Sequence, residues 1–173
     1  LLSKPGNLNL TEYPVDTLLK EVIDLFQASF LEKNIKVKTK LDTDIGSIAM
    51  DDQKMKQVLI NLFYNSIESM PNGGNISIIN YRETAVKDSP VVTIRMEDTG
   101  GGIPLEVFFN VFHPFFTTKH GGTGLGLPIC KKIVESHGGN IRMENHIGKG
   151  LIVYIQLPLH NICTYNSKTE SVG

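Results

Sequence analysis

Cysteine is scarce, long apolar runs are missing and net charge is nearly absent from this chain of 173 residues. Its two cysteines, Cys130 and Cys163, have neither CxxC spacing nor the density of a disulfide scaffold, which excludes a cystine-stapled domain and points to a reducing compartment. No stretch approaches the roughly 20 apolar residues of a membrane-spanning helix, and Leu1-Leu2-Ser3-Lys4-Pro5 is too short for a signal peptide. A formal net charge of −1 leaves no generic basic footprint, so nucleic acid is not an expected partner. Also missing are a solenoid-type repeat and a Walker GxxxxGK[ST] sequence. With 40% hydrophobic residues, the length suits one domain with a sizeable core. Leu1 and Leu2 ahead of Pro5 read as the cut end of a preceding element.

What is present concentrates between Asp98 and Leu127. Asp98-Thr99-Gly100-Gly101-Gly102-Ile103-Pro104 opens this stretch, Gly121-Gly122-Thr123-Gly124-Leu125-Gly126-Leu127 closes it, and Pro114-Phe115-Phe116-Thr117-Thr118-Lys119 lies between. Glycine lets the main chain come close to a ligand, and clusters at both ends predict a flap hinged on both sides. The second cluster runs into Leu127, Ile129, Cys130, Ile133 and Val134, a helical spacing that begins near Gly124. The N–H groups and positive dipole end of such a helix start form a ready anion site, so phosphate is expected near Gly124 to Gly126.

Upstream, Val15, Leu18, Leu19, Val22, Ile23, Phe26 and Phe30 recur at helical spacing behind Pro14, predicting one amphipathic helix. Leu8 and Leu10 mark a candidate edge strand, residues 35–41 alternate with period two and a solvated Lys face, and residues 47–50 are a weaker strand candidate. From Asp51 to Met70, at about 100° per residue, Met55, Val58, Leu59, Ile60, Leu62, Phe63, Ile67 and Met70 cover a broad apolar arc. Lys54, Gln57, Asn61, Asn65 and Glu68 form a narrow stripe beside it. Taken alone this stripe reads as a solvated face. Amides are poorer helix formers than long straight side chains, however, so two asparagines one turn apart point toward a specific ligand.

Pro71-Asn72-Gly73-Gly74 ends that helix, and residues 75–81 and 90–97 alternate as neighbouring antiparallel strands, the second delivering Asp98. A helix to His137, a strand through Ile141 and Met143, a Gly148-Lys149-Gly150 turn and a strand over 151–157 complete a domain spanning 1–158. Residues 159–173 are polar and read as a disordered tail. The expected fold class is α+β: a two-layer α/β sandwich, with a mixed, mainly antiparallel five-stranded sheet covered on one face by three helices.

An acid at a strand end, two amides on a helix and a phosphate-ready helix start define a ligand. A carboxylate such as Asp98 accepts from an exocyclic amine, and the backbone at Gly100 and Gly102 leaves room for a flat ring. Amide oxygens are hard ligands suited to Mg²⁺, and Lys119 neutralises outer phosphates as a point charge. The set predicts Mg-ATP.

In order and spacing, residues 51–65, 98–102, 112–116 and 122–127 resemble the N, G1, F and G2 boxes of the catalytic ATP-binding domain of sensor histidine kinases, the Bergerat-fold group shared with gyrase and the MutL proteins. Asn61-Leu62-Phe63-Tyr64-Asn65 and Phe115-Phe116-Thr117-Thr118-Lys119 are its most specific parts, and the wording looks most like nitrogen-regulation and sporulation kinases. The resemblance implies Asn65 for Mg²⁺, Asn61 near the phosphates, Asp98 for the adenine amine, and Gly100 and Gly102 for the purine pocket. It puts Thr118, Lys119 and the backbone of Gly122, Thr123, Gly124, Leu125, Gly126 and Leu127 on the phosphate side, with an ATP lid from Ile103 to Thr123. Asn61, Asn65 and Lys119 are the catalytic candidates. In hydrolysing relatives a glutamate matches Asn61, and an amide cannot serve as a general base, which favours phosphoryl transfer over hydrolysis.

Three positions depart from the family pattern: Thr99 where asparagine is frequent, Glu68 where lysine is frequent, and Leu151 where serine or threonine often follows the last glycine turn. None of His113, His120, His137, His146 or His160 has the acidic neighbour of a phosphoacceptor, so the receiving histidine is expected on a dimerising helical hairpin outside this chain. His137 is expected to cap a helix or face solvent, and His146 to lie in a turn. The resemblance further implies a response regulator downstream, a monomeric fragment, a homodimeric full-length protein, and a cytoplasmic location, alone or as part of a membrane-anchored kinase. An anti-sigma-type serine kinase of the same fold and a non-catalytic nucleotide sensor are the alternatives.

Overall fold

Apolar spacing sets which side of each element is buried. In α1 (Val15–Leu25), Val15, Leu18, Leu19 and Val22 share one inaccessible face, the stripe of a helix laid against a core. The computed structural model describes residues 8–84, 89–115 and 124–159. Ahead of α1 runs β1 (Thr11–Pro14); behind it come α2 (Gln27–Glu32), β2 (Ile35–Leu41), β3 (Ser47–Met50), α3 (Asp52–Ser69) and β4 (Gly74–Thr84). The chain continues through β5 (Pro90–Asp98), the short α4 (Leu105–Phe108), α5 (Gly126–Ser136), β6 (Asn140–His146) and β7 (Gly150–Pro158).

Five strands pair in the order β2-β4-β5-β7-β6, parallel between β2 and β4 and antiparallel elsewhere, while β1 and β3 form a separate antiparallel ribbon. On the inner face Ile76, Ile78, Val92, Ile94, Met96, Val153, Ile155 and Leu157 join the apolar sides of α1, α3 and α5 in one core. The outer face carries exposed Lys36, Lys38 and Lys40, and Tyr154 stacked 3.6 Å from the Arg142 guanidinium. Helices on one side and polar residues on the other make the mixed two-layer arrangement expected from the alternation of elements. Among the described residues no helix is long and apolar enough to cross a membrane. The tail expected at 159–173 lies outside the described residues beyond Leu159.

Local differences from the expected elements have identifiable causes. The helix expected from Val15 through Phe30 breaks at Phe26, where α1 gives way to α2. That break lets Phe26 and Phe30 both reach Phe63, with ring centroids 5.2 and 5.6 Å away, so aromatic packing prevails over helical continuity. The first strand covers Thr11–Pro14 rather than Leu8 and Leu10, because its partner is β3, with Thr11 opposite Met50. His146 ends β6 opposite Gly150 instead of lying in the turn.

His137 caps the end of α5, as one of its two expected roles has it, but it is buried rather than solvated. Its Nε2 accepts the Asp51 N–H at 3.0 Å while Nδ1 lies 2.8 Å from the Ile133 carbonyl, which makes Nδ1 the protonated nitrogen of a neutral ring. Asp51 is itself the N-cap of α3: Oδ1 accepts from the Lys54 N–H at 3.1 Å and Oδ2 from the Asn9 N–H at 3.0 Å. Thus one imidazole fastens the end of α5 to the start of α3. Further along, the Cys130 thiol lies 3.8 Å from the Val58 carbonyl, and Gly126 abuts Asn61. The two helices therefore run antiparallel, with the start of α5 over the middle of α3.

Replacing His137 by alanine leaves the buried Asp51 N–H without its acceptor. We expect His137→Ala to lower unfolding free energy by roughly 1–3 kcal/mol, read from the urea midpoint; an unchanged midpoint would refute the fastening role.

Candidate functional site

Between α3, the end of β5 and the start of α5 lies a cavity of about 430 Å³. From α3 come Asn61, Leu62, Asn65, Ser66, Glu68 and Ser69; Asp98 comes from β5; Gly124, Gly126 and Leu127 come from the head of α5. Gly102, Ile103, Pro104, Val107 and Val111 form one wall, and Met143, Leu151 and Val153 form an apolar floor contributed by the sheet. Apolar walls with a few convergent polar groups suit a flat heterocycle with a charged tail.

Asp98 is held tightly and is 6% exposed. Its Oδ1 accepts from the Gly100 N–H at 3.0 Å and from the Leu151 N–H at 3.3 Å, and Oδ2 accepts from the Ser66 hydroxyl at 2.8 Å. The carboxylate is therefore not the lone group that its place in the chain implies. Leu151, whose side chain departs from the family pattern, still contributes its main-chain donor. This close approach requires Gly150, since a Cβ there would sit 1.8 Å from the Asp98 carbonyl oxygen.

At the other end of the cavity, among the described residues, α5 begins without a side-chain cap, and the N–H groups of a helix start are a place where an anion can be held. A Cβ on Gly126 would fall 2.6 Å from Asn61 Oδ1; glycine lets the helix start lie directly against that amide. Cys130, one turn further, is buried in the helix contact, and burial pushes its thiol up to about 12, as expected of inert packing.

Asn61, Asn65, Asp98, Gly102, Ile103, Gly124, Gly126 and Leu127 thus line one cavity. Gly100 acts through its N–H on Asp98, and Leu125 is the residue immediately before α5, its carbonyl accepting from the Ile129 N–H at 2.9 Å. Thr118, Lys119, Gly122 and Thr123 lie outside the described residues. Of the aromatics in this stretch, Phe112 packs inward against the core, 5.6 Å from Lys131 Nζ, whereas Phe115 is 78% exposed; Phe116 lies outside the described residues.

Two residues escaped the sequence reading. Ser66 carried a signal: it is the polar residue on the apolar arc of α3, four positions after Leu62. Asn145 carried none, because its partner is distant in sequence. Its Oδ1 accepts the Ile103 N–H at 2.8 Å and its Nδ2 donates to the Ile103 carbonyl at 2.6 Å, while the Gly148 N–H donates to the Gly101 carbonyl at 2.7 Å. These bonds moor the chain leaving Asp98 to the β6–β7 turn.

A two-layer sandwich whose cavity joins a buried acid, two helix amides and a helix start has the architecture of the ATP-binding domains of the Bergerat class. The chain belongs to the histidine kinase-, DNA gyrase B- and HSP90-like ATPase family, whose profile matches residues 50–161. It is 36% identical to sporulation kinase C of Bacillus subtilis (strain 168) over 160 residues, covering 92% of this chain and 36% of that protein. The catalytic domain of histidine kinase ThkA, in a nucleotide-free form, is 37% identical with a TM-score of 0.75, covering 87% of this chain and 96% of that one. ThkA in complex with the response regulator protein TrrA aligns at 34% identity and a TM-score of 0.72, covering 87% of this chain and 42% of that one. The chain spans about a third of the length of sporulation kinase C, and it is a histidine kinase catalytic domain.

The Gly126 contact has a checkable consequence. A methyl at this position meets the end of a movable side chain, so Gly126→Ala should keep its unfolding midpoint while the displaced Asn61 amide weakens ATP binding about tenfold, the equivalent of one charge-assisted hydrogen bond. Calorimetric titration with ATP and a denaturant curve decide it; unchanged affinity would remove Asn61 from the site.

Proposed function

We propose that this domain binds Mg-ATP and passes the γ-phosphoryl group to a histidine on a dimerising helical hairpin outside the chain. The observation that carries the reading is the joining of Asp98, Asn61, Asn65 and the start of α5 around one cavity. Asp98 accepts the exocyclic amine of adenine, the apolar floor takes the ring, and the phosphates lie toward Gly124 to Gly126. Lys119 and Thr118 are assigned to the outer phosphates by sequence alone.

The donor set bears on the metal. Among the described residues no cluster of three or more His, Cys, Asp or Glu side chains could hold an ion. A divalent cation would then rest on amide oxygen and nucleotide phosphate, the manner in which Mg²⁺ is bound while keeping most of its waters. Asn65 would hold it, with Asn61 beside the phosphates. Bound there, Mg²⁺ would neutralise phosphate charge. The chain's own part is positional: α3 presents the amides, α5 presents its N–H groups, and no carboxylate stands at Asn61 to activate water. Transfer to an acceptor is thereby favoured over hydrolysis, with orientation and charge neutralisation supplying the rate.

The ThkA complex with a response regulator supports a place for this chain in the same kind of relay, upstream of such a regulator. The full-length protein is proposed to be a cytoplasmic homodimer or the cytoplasmic part of a membrane-anchored one.

Two measurements test the reading. Incubating the domain with γ-labelled ATP and a separately supplied hairpin should yield acid-labile label on the hairpin; acid-stable label would favour a serine kinase, and no transfer a nucleotide sensor. In nucleotide titrations, Asn65→Ala should abolish the Mg²⁺ dependence of ATP affinity and Asp98→Ala the preference for ATP over GTP. Unchanged behaviour in both variants would overturn the assignment.

A further inference from the structure

Ser66 occupies a position that helix packing alone would give to an apolar residue. It is 6% exposed, between Leu62 at 3% and Met70 at 2% on the buried side of α3. A serine in a helix interior ordinarily satisfies its hydroxyl by bonding back to the carbonyl one turn earlier. Here the hydroxyl instead donates across 32 positions to Asp98 Oδ2 at 2.8 Å. Neighbouring Ser69 is the residue that bonds back, its hydroxyl donating to the Ser66 carbonyl at 2.7 Å.

The consequence follows from counting acceptor positions. An ionised carboxylate offers about four lone-pair sites. Two on Oδ1 are taken by the N–H groups of Gly100 and Leu151, and one on Oδ2 by Ser66. Among the described residues these are its donors, and a single site remains, on Oδ2. Ser66 has one hydroxyl hydrogen, spent on Asp98, so toward the cavity its oxygen can only accept. Asp98 Oδ2 and Ser66 Oγ together make an edge of acceptors, matched to a base that presents an exocyclic amine and indifferent to one that lacks it.

We propose that Ser66 is a positioning residue for base recognition: by holding Asp98 Oδ2 it sets the plane of the carboxylate and leaves one acceptor site, directed to the amine of the purine. Loss of the hydroxyl frees Oδ2 to take water at either site and lets the carboxylate settle in orientations that do not meet the base. The proposal rests on the reading of Asp98 as the residue that meets adenine.

The test compares ATP with purine riboside triphosphate, which has the same ring and phosphates but no amine, on wild type and Ser66→Ala. Alanine is the better helix former at this position, and a denaturant curve without nucleotide verifies that the variant folds. The expected result is a loss of about tenfold in ATP affinity, one hydrogen bond to a charged group, with purine riboside triphosphate affinity moving by less than about twofold. Equal loss for both nucleotides would show that Ser66 only packs the helix, and no loss for either would show that Asp98 is held without it; each overturns the proposal. Failure of the underlying reading looks different: wild type would then bind the two nucleotides alike.

Discussion

The antiparallel contact of α3 with α5 governs where everything else in the cleft can be. It is tied at one end by the His137 imidazole between Asp51 and Ile133, continues past the Cys130 thiol at the Val58 carbonyl, and closes where Gly126 meets Asn61. A helix start is useful to an anion only if its N–H groups face the same space as the groups that hold the rest of the ligand. Sliding α5 by one turn along α3 would move its mouth by about 5.4 Å and part it from the asparagines. The distant tie at His137 thus also sets where the mouth of α5 opens into the cavity.

Asp98 poses the opposite problem, a buried charge that must stay available. A carboxylate removed from water is tolerated when donors surround it, and Gly100, Leu151 and Ser66 supply three. They come from the loop after β5, from β7 and from α3, so the acid is pinned by every layer that meets at this end of the sheet. Gly150 is what permits the approach of β7, since any side chain there would collide with the Asp98 main chain. Support and function share the same bonds: the donors that make burial tolerable also decide which oxygen is left for a ligand.

Much of this was legible in the residues. Periodicity located α3, β5 and α5 because each buries one face against a common core, and Gly100, Gly102 and Gly126 stood out because the chain approaches its neighbours too closely there for a side chain. The family motifs then brought Asn61, Asn65, Asp98 and the start of α5 into one site, although their spacing says nothing of distance. What stayed hidden depended on side chains meeting across the fold. Phe26 breaks a helix that its spacing would continue, because Phe63 lies within reach only once α3 is packed. Asn145 gives no local sign that it will clasp Ile103, and His137 looks like an ordinary helix-end residue until Asp51 appears beside it. Ser66 stands between these cases: a polar residue on an apolar arc was visible, its partner was not.

Asn145 clasps both the N–H and the carbonyl of Ile103, and Gly148 holds Gly101 just before it. The Asp98 end of the cleft is accordingly held before the chain reaches Pro104, by contacts to the β6–β7 hairpin rather than to α5. The Asp98 end and the α5 end of the cavity are therefore fixed by separate sets of contacts on one scaffold, so that a change at one end need not disturb the other.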